Sequence, residues 1–275
     1  MKACVVIPIY TDVIIAFEQI AMDQCFRILG QHPIYFVAPQ RLETYISNHH
    51  YVTTGEASYK IFDDAFFADI MAYNRLLKFT GFYGSFINYD FMLIHQLDAF
   101  VFKDELLYWC TQGYDSIGAP LFEGHTDATA QSAMVSQGNG GFCLRNIRKC
   151  YDIVRRYKKL TYTRTFEDAN RPFYINFYRY IKHQVVFTYS RYPYQPIINE
   201  DLFWAEVIPA NIPGFNVPAP EVALKFSFEM NPEILYRMNH EQLPFGCHAW
   251  WKYNLNFWLP HLNKFGYHIK VGEIL

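Results

Sequence analysis

Residues 3 to 9, "ACVVIPI", are apolar without a break and rich in β-branched side chains. So short a run reads as a strand covered on both faces, which places it inside a sheet with helices on either side. Comparable segments recur at "PIYFVAP" (33 to 39), "YKIFD" (59 to 63) and "DFMLIHQLDAFVF" (90 to 102). Between them lie stretches with helical spacing. Thr11 or Asp12 is placed to cap a helix that runs to about Leu29 and closes at Gly30, a second helix is expected at 40 to 48, and a third at "FFADIMAYNRLLKFTGF" (66 to 82). Strands alternating with helices predict βαβ units, hence an α/β fold with a central, mostly parallel sheet flanked by helices.

Beyond Asp104 the reading continues with a short helix in "DELLYWCTQG" and a strand at 114 to 120. Residues 121 to 137 are small, polar and without period, which predicts a loop or lid over an active site. "GNGGFCLRN" (138 to 146) reads as a turn and a strand leading into a helix through about Leu160, and another helix is expected near 172 to 184. No repeat, low-complexity block or linker divides the 275 residues, so a single domain is expected.

A net charge of −2 leaves no basic field for a nucleic-acid backbone. The mild basic cluster of 145 to 159 reads as a solvated helix face rather than an anion patch. Six cysteines at irregular spacing, without a CxxC pair, predict buried reduced thiols and a cytoplasmic setting. No segment approaches 18 uninterrupted apolar residues, so no integral membrane segment is expected, leaving peripheral attachment at the inner membrane face as the closest association. Aromatic residues make up 19% of the chain, which permits stacking on sugars but equally supplies core mass.

The least expected charge is Asp98, between Leu97 and Ala99 with Phe100 and Phe102 beyond. A carboxylate in such a run is costly unless something pairs with it. Ligands of open α/β sheets bind beyond the carboxyl ends of the strands. Read as one continuous strand, the segment puts Ile94, Gln96, Asp98 and Phe100 on one face, and Gln96 and Asp98 then point into the same cleft.

Four segments in order, "QLDAF", "GNGGFCLRN", "NEDLFW" and "PFGCHAW", together with the first strand "VVIPIY", resemble the nucleotide-sugar-dependent glycosyltransferases of the GT-A fold. More closely, they resemble a bacterial family of uncharacterised GT-A-like proteins. The resemblance implies a nucleotide-binding half over 1–104 and an acceptor and catalytic half over 105–275. It further implies that the first strand and its loop (Pro8, Ile9, Tyr10, Thr11) hold the nucleotide, with Asp63 as a further contact. In GT-A enzymes an Asp-x-Asp meets the donor ribose and a divalent metal. Asp98 takes its first acidic place here, whereas Phe100 stands at the second. His248 falls where several GT-A families place a metal ligand, so Asp98 and His248 are the implied set for Mn²⁺ or Mg²⁺, with hydrogen bonding of His248 to the diphosphate, without metal, as the other possibility. Asn139, Gly140 and Gly141 correspond to the turn lining the donor sugar. Asp201 corresponds to the base of inverting enzymes, with Glu200 as its neighbour or as a sugar contact.

The expected activity is therefore transfer of a hexose-type sugar from a nucleoside diphosphate sugar, a UDP-sugar foremost, to a hydroxyl acceptor with inversion, in polysaccharide or glycoconjugate synthesis. A retaining transferase and a non-catalytic nucleotide- or sugar-binding module stand as alternatives. A nucleotidyltransferase would be expected to carry a Gly-rich, basic N-terminal loop, and "VVIPIYTD" has neither.

Overall fold

A computed structural model of the chain describes residues 1–124, 128–156, 174 and 199–269. The helix expected near 172 to 184 lies outside the described residues apart from Tyr174, as does the end of the helix expected to reach Leu160. The apolar runs form the strands predicted for them. β1 (Ala3–Pro8) is buried along its whole length and pairs in parallel with β2 (Ile34–Pro39) on one side. On its other side it pairs in parallel with β4 (Phe91–His95). β3 (Ala57–Phe62) adds to β2, again in parallel. Helix α1 (Ala16–Leu29) connects β1 to β2 and packs Met22, Cys25, Phe26 and Leu29 into the core on one face of the sheet. It begins four residues later than Asp12; Glu18 Oε2 accepts the Ile15 N–H and supplies the cap.

Two short helices, α2 (Glu43–Ser47) and α3 (His50–Thr53), lead from β2 to β3. The single helix expected over 66 to 82 is instead two, α4 (Ile70–Leu76) and α5 (Thr80–Gly84). Asp69 causes the late start, because its Oδ1 accepts the Ala72 N–H at 2.6 Å and caps α4.

The long strand expected over 90 to 102 is also two. β4 stops at His95, and residues 96 to 99 make a turn closed by Ala99 N–H donating to Gln96 O at 3.0 Å. β5 (Phe100–Val101) then belongs to a different sheet. The alternation of 94, 96, 98 and 100 along one strand therefore does not hold: Asp98 sits on a turn, and Phe100 is fully buried among aromatic rings.

Helix α6 (Leu106–Cys110) follows, then β6 (Ser116–Ile117). The segment expected as a loop from 121 is structured at both ends, where β7 (Pro120–Phe122) pairs antiparallel with β8 (Met134–Gln137). β9 (Phe142–Asn146) returns antiparallel to β4, so the main sheet runs β3-β2-β1-β4-β9-β6. Helix α7 (Ile147–Arg156) exposes Arg148, Lys149, Arg155 and Arg156 as anticipated. Arg145 departs from the solvated face expected of its cluster: on β9 it is 1% exposed and ion-pairs with Glu200.

Helix α8 starts at Glu200–Leu202 and widens to a π turn at Phe203–Val207 before Pro209, which has no N–H to continue the regular ladder. α9 (Pro220–Phe226) and β10 (Ser227–Phe228) come next, followed by α10 (Pro232–Met238), β11 (Gly246–Cys247) and α11 (Leu255–Asn263). β11 lies between β10, in parallel, and β5, antiparallel. Its Gly246 rests on the Phe142 ring, where a Cβ would meet the ring at 2.3 Å. Phe100, Phe102, Phe228, Trp250 and Trp258 pack beside this small sheet, where the aromatic side chains serve as core. All six cysteines are buried and unpaired. Among the described residues, no helix is long and apolar enough to cross a membrane.

Candidate functional site

The small sheet brings together three charges from distant parts of the chain. Parallel β10 and β11 end on the same side, and antiparallel β5 begins there. Glu229 directly follows β10, His248 directly follows β11, and Asp98 lies two residues before β5. The His248 N–H donates to Phe228 O at 2.9 Å and fixes the ring's origin. His248 Nδ1 is 2.7 Å from Glu229 Oε1, and Nε2 is 3.0 Å from Asp98 Oδ1. The second contact is an ion pair without hydrogen-bond alignment. Lys252, on the turn after His248, donates from Nζ to Asp98 Oδ2 at 2.6 Å.

The energetics follow from this arrangement. Burial alone would depress the His248 pKa, but the Asp98 and Glu229 carboxylates outweigh it and push it up to about 10. Burial would raise Asp98, yet His248 and Lys252 hold its carboxyl well below the usual carboxylate range. His248 is consequently an imidazolium at neutral pH, and the four groups form a balanced alternation of charge.

Asp98 faces a cavity of about 440 Å³, also lined by Tyr10, Phe67, Asp69, Ile70, Tyr73, Gln96 and Lys252. It opens where β1 and β4 end, and Gln96 and Asp98 do share it, placed by the turn rather than by strand alternation. The Gln96 N–H donates to Gly141 O at 2.7 Å, and its side chain meets the Tyr73 hydroxyl. Tyr10 is 46% exposed at the mouth. Burial, then Asp98, pushes its phenol up to about 12. Arg41 donates to Tyr10 O at 3.0 Å and steadies that loop.

The remaining sequence candidates are distributed around this centre. Pro8 and Ile9 are buried at the end of β1. Thr11 accepts the Val13 N–H through Oγ1 at 3.1 Å. Asp63 ends β3, where its Oδ1 accepts the Ala65 N–H at 2.8 Å, and it does not line the cavity. Asn139 is 3% exposed; its Oδ1 accepts from Gly141 and Phe142, which leaves Nδ2 buried without a partner. The glycines after it are spacers for protein side chains. A Cβ on Gly140 would lie 2.3 Å from Glu200 Oε1, and one on Gly141 would lie 1.9 Å from His248 Nε2. The Gly-rich turn thus packs the start of α8 and the His248 ring against the same few backbone atoms.

Glu200 is 3% exposed, paired with Arg145, and its N–H donates to Asn74 Oδ1 at 2.6 Å. Arg145 also donates to the Tyr83 hydroxyl at 3.1 Å. Asp201, beside it, is half-buried and does not line the cavity. Burial, then the charges of Glu200 and Glu229, raise its pKa to about 6. Glu229 therefore acts electrically on both His248 and Asp201.

As arranged, the implied metal set does not suit a divalent cation. Asp98 Oδ2 is taken by Lys252 Nζ and its Oδ1 faces His248 Nε2, while the His248 ring is held through Nδ1 by Glu229 and lies against Gly141. Among the described residues no group of three or more His, Cys, Asp or Glu side chains is placed to hold a metal ion.

Glu229, Lys252, Asp69 and Tyr73 are not singled out by the sequence reading. Lys252 lies four residues beyond His248, just past "PFGCHAW", and Glu229 is the acidic residue that follows "FSF". Their pairing depends on the small sheet, whose two-residue strands leave no periodic signal.

Fold and site together describe an α/β protein with a charged cleft at the carboxyl edge of its main sheet. The chain belongs to the family described as "Protein of unknown function (DUF5672)", whose model matches residues 56–248 and so spans "QLDAF", "GNGGF", "NEDLF" and His248. No curated protein matches the sequence. Among solved structures, the chain is similar to an active-site mutant of LgtC, at 13% identity and TM-score 0.48 over 89% of this chain and 86% of that one. It is also similar to the apo form of the glycosyltransferase GlyE of Streptococcus pneumoniae, at 13% identity and TM-score 0.45 over 97% of this chain and 63% of that one. Mouse xyloside xylosyltransferase 1 is similar at 8% identity and TM-score 0.47 over 90% and 97%.

Proposed function

We propose that this protein is a glycosyltransferase of GT-A type, moving a hexose-type sugar from a nucleoside diphosphate sugar, a UDP-sugar foremost, to a hydroxyl acceptor with inversion, in polysaccharide or glycoconjugate synthesis. The observation that carries the reading is Asp98, fixed in a turn at the carboxyl end of β4 and facing a cavity of small-ligand size. Tyr10 at the cavity mouth offers a ring for the nucleotide base, with Thr11 beside it, while buried Pro8 and Ile9 position that loop. Asp98 and Gln96 orient the donor. Asn139 Nδ2, buried and unpartnered, is a donor for a sugar hydroxyl.

Asp201 is the base that takes the proton of the attacking hydroxyl. A carboxylate raised to about 6 is ionised at neutral pH and still basic enough to accept a proton in the transition state. Glu200, locked to Arg145, positions Asp201 and raises its basicity by like charge. The cleft's contribution is to hold donor and acceptor in line and to stabilise the departing diphosphate.

A panel of nucleotide sugars tests this, by thermal shift and then by release of nucleoside diphosphate with hydroxyl acceptors. A stabilising donor that is turned over, with inverted anomeric configuration by NMR, is the expected result. Binding without transfer or hydrolysis would reduce the protein to a binding module, and a retained configuration would remove the assignment of Asp201.

A further inference from the structure

Resting on the donor reading, we propose that Lys252 is the cation that meets the donor diphosphate, and that this site works without a divalent metal ion. The Asp-x-Asp pattern fails here for a packing reason. Phe100, at the second acidic place, has no exposed surface and touches the rings of Phe102, Trp250, Phe265 and Tyr267. No ligand at that position reaches the cleft. The surviving acid, Asp98, has one oxygen on Lys252 Nζ at 2.6 Å and the other facing His248 Nε2 at 3.0 Å. A metal at Asp98 would have to displace the Lys252 ammonium from one oxygen and the His248 ring from the other, and that ring is held on its far side by Glu229 at 2.7 Å.

Lys252 differs from its partners in freedom. Its side chain is 58% exposed, whereas those of Asp98 and His248 are each 13% exposed. Among the described residues lining the cavity it is the only lysine or arginine. A long flexible side chain ending in three donors can leave a carboxylate for a neighbouring phosphate at little cost, whereas His248 stays held between Asp98 and Glu229. The Asp98–Lys252 pair thus serves as the resting position of a phosphate-binding cation, and the Asp98–His248–Glu229 row as its fixed support.

The experiment measures UDP binding to the full chain by calorimetry in excess EDTA and again with Mn²⁺, with GDP, ADP, CDP and inorganic pyrophosphate as further probes and uridine as the control without phosphate. Equal affinity for the bound diphosphate in EDTA and Mn²⁺ is expected. Lys252→Ala is expected to weaken that diphosphate by about 10- to 100-fold, the range for losing a hydrogen bond between charged groups, and to flatten its salt dependence. Lys252→Arg should restore most of the affinity, and uridine binding should not change. Diphosphate binding that requires Mn²⁺, or that survives Lys252→Ala unaltered, would overturn the inference while leaving the donor reading in place. The metal comparison on the wild-type chain decides the matter even should the alanine variant not fold. If neither nucleoside diphosphates nor pyrophosphate bind under either condition, the donor reading fails and takes the inference with it.

Discussion

Replacing Asp201 by Asn removes a charge while keeping the shape, and the Asn amide oxygen can still accept the Leu202 N–H that Asp201 Oδ1 now accepts at 2.7 Å. The folded carboxyl lies at about 6 against 3.8 for the free group. At about 1.4 kcal/mol per pH unit, that gap corresponds to about 3 kcal/mol by which the ionised form is disfavoured in the folded state. Solvent reaches the half-buried side chain, so about 2 kcal/mol is the working figure. Because the folded pKa is the higher, the proton's contribution to stability is whole below about pH 4 and is lost as pH rises through about 6. Asp201→Asn is insensitive to this loss. Relative to wild type it should gain about 2 kcal/mol between pH 4 and pH 7, roughly 4 to 8 °C in Tm for a chain of this size. Calorimetric scans of both proteins across that range provide the measurement. Transfer assays at pH 7 should show near-complete loss of turnover with donor binding retained. A Tm difference that does not vary with pH would refute the electrostatic reasoning, and transfer near the wild-type rate would refute the role of base.

Three further substitutions probe the framework. Gly141→Ala forces a methyl group into the space of His248 Nε2; it should cost about 1 to 3 kcal/mol in denaturant unfolding and lower activity more than binding of uridine. Phe100→Asp, which restores the Asp-x-Asp spelling, should destabilise by about 3 kcal/mol or more and confer no Mn²⁺ binding by calorimetry, because the side chain points into an aromatic core. Glu200→Gln leaves Arg145 buried without its counter-charge, so a loss of about 3 to 5 kcal/mol is expected by urea titration, together with a lower kinetic pKa on the acidic limb as the like charge beside Asp201 disappears.

Four strands of the main sheet were legible, three of them as continuous apolar runs: β1, β2, β3 and β4 all lie within the predicted segments or within two residues of them. The small sheet was not. β5, β10 and β11 have two residues each, too few for any period, and the predicted strand simply ran through the turn at 96 to 99. Asp98 was recognisable as an anomalous charge, but its partners were not, since Lys252 and Glu229 are far away in sequence and unremarkable by spacing. Arg145 went unread for the opposite reason. Its basic neighbours made it look like surface, whereas its position on β9 points it inward to Glu200.

Gly246 shows how so small a sheet can be trusted with the charged row. A strand of two residues has almost no hydrogen bonding of its own with which to resist sliding along its neighbours. Slippage by one place would seat Phe245 or Cys247 on the Phe142 ring, where not even a methyl group fits. The ring therefore acts as a gauge that admits a single alignment of β11. Only in that alignment does the next residue but one, His248, arrive between Asp98 and Glu229.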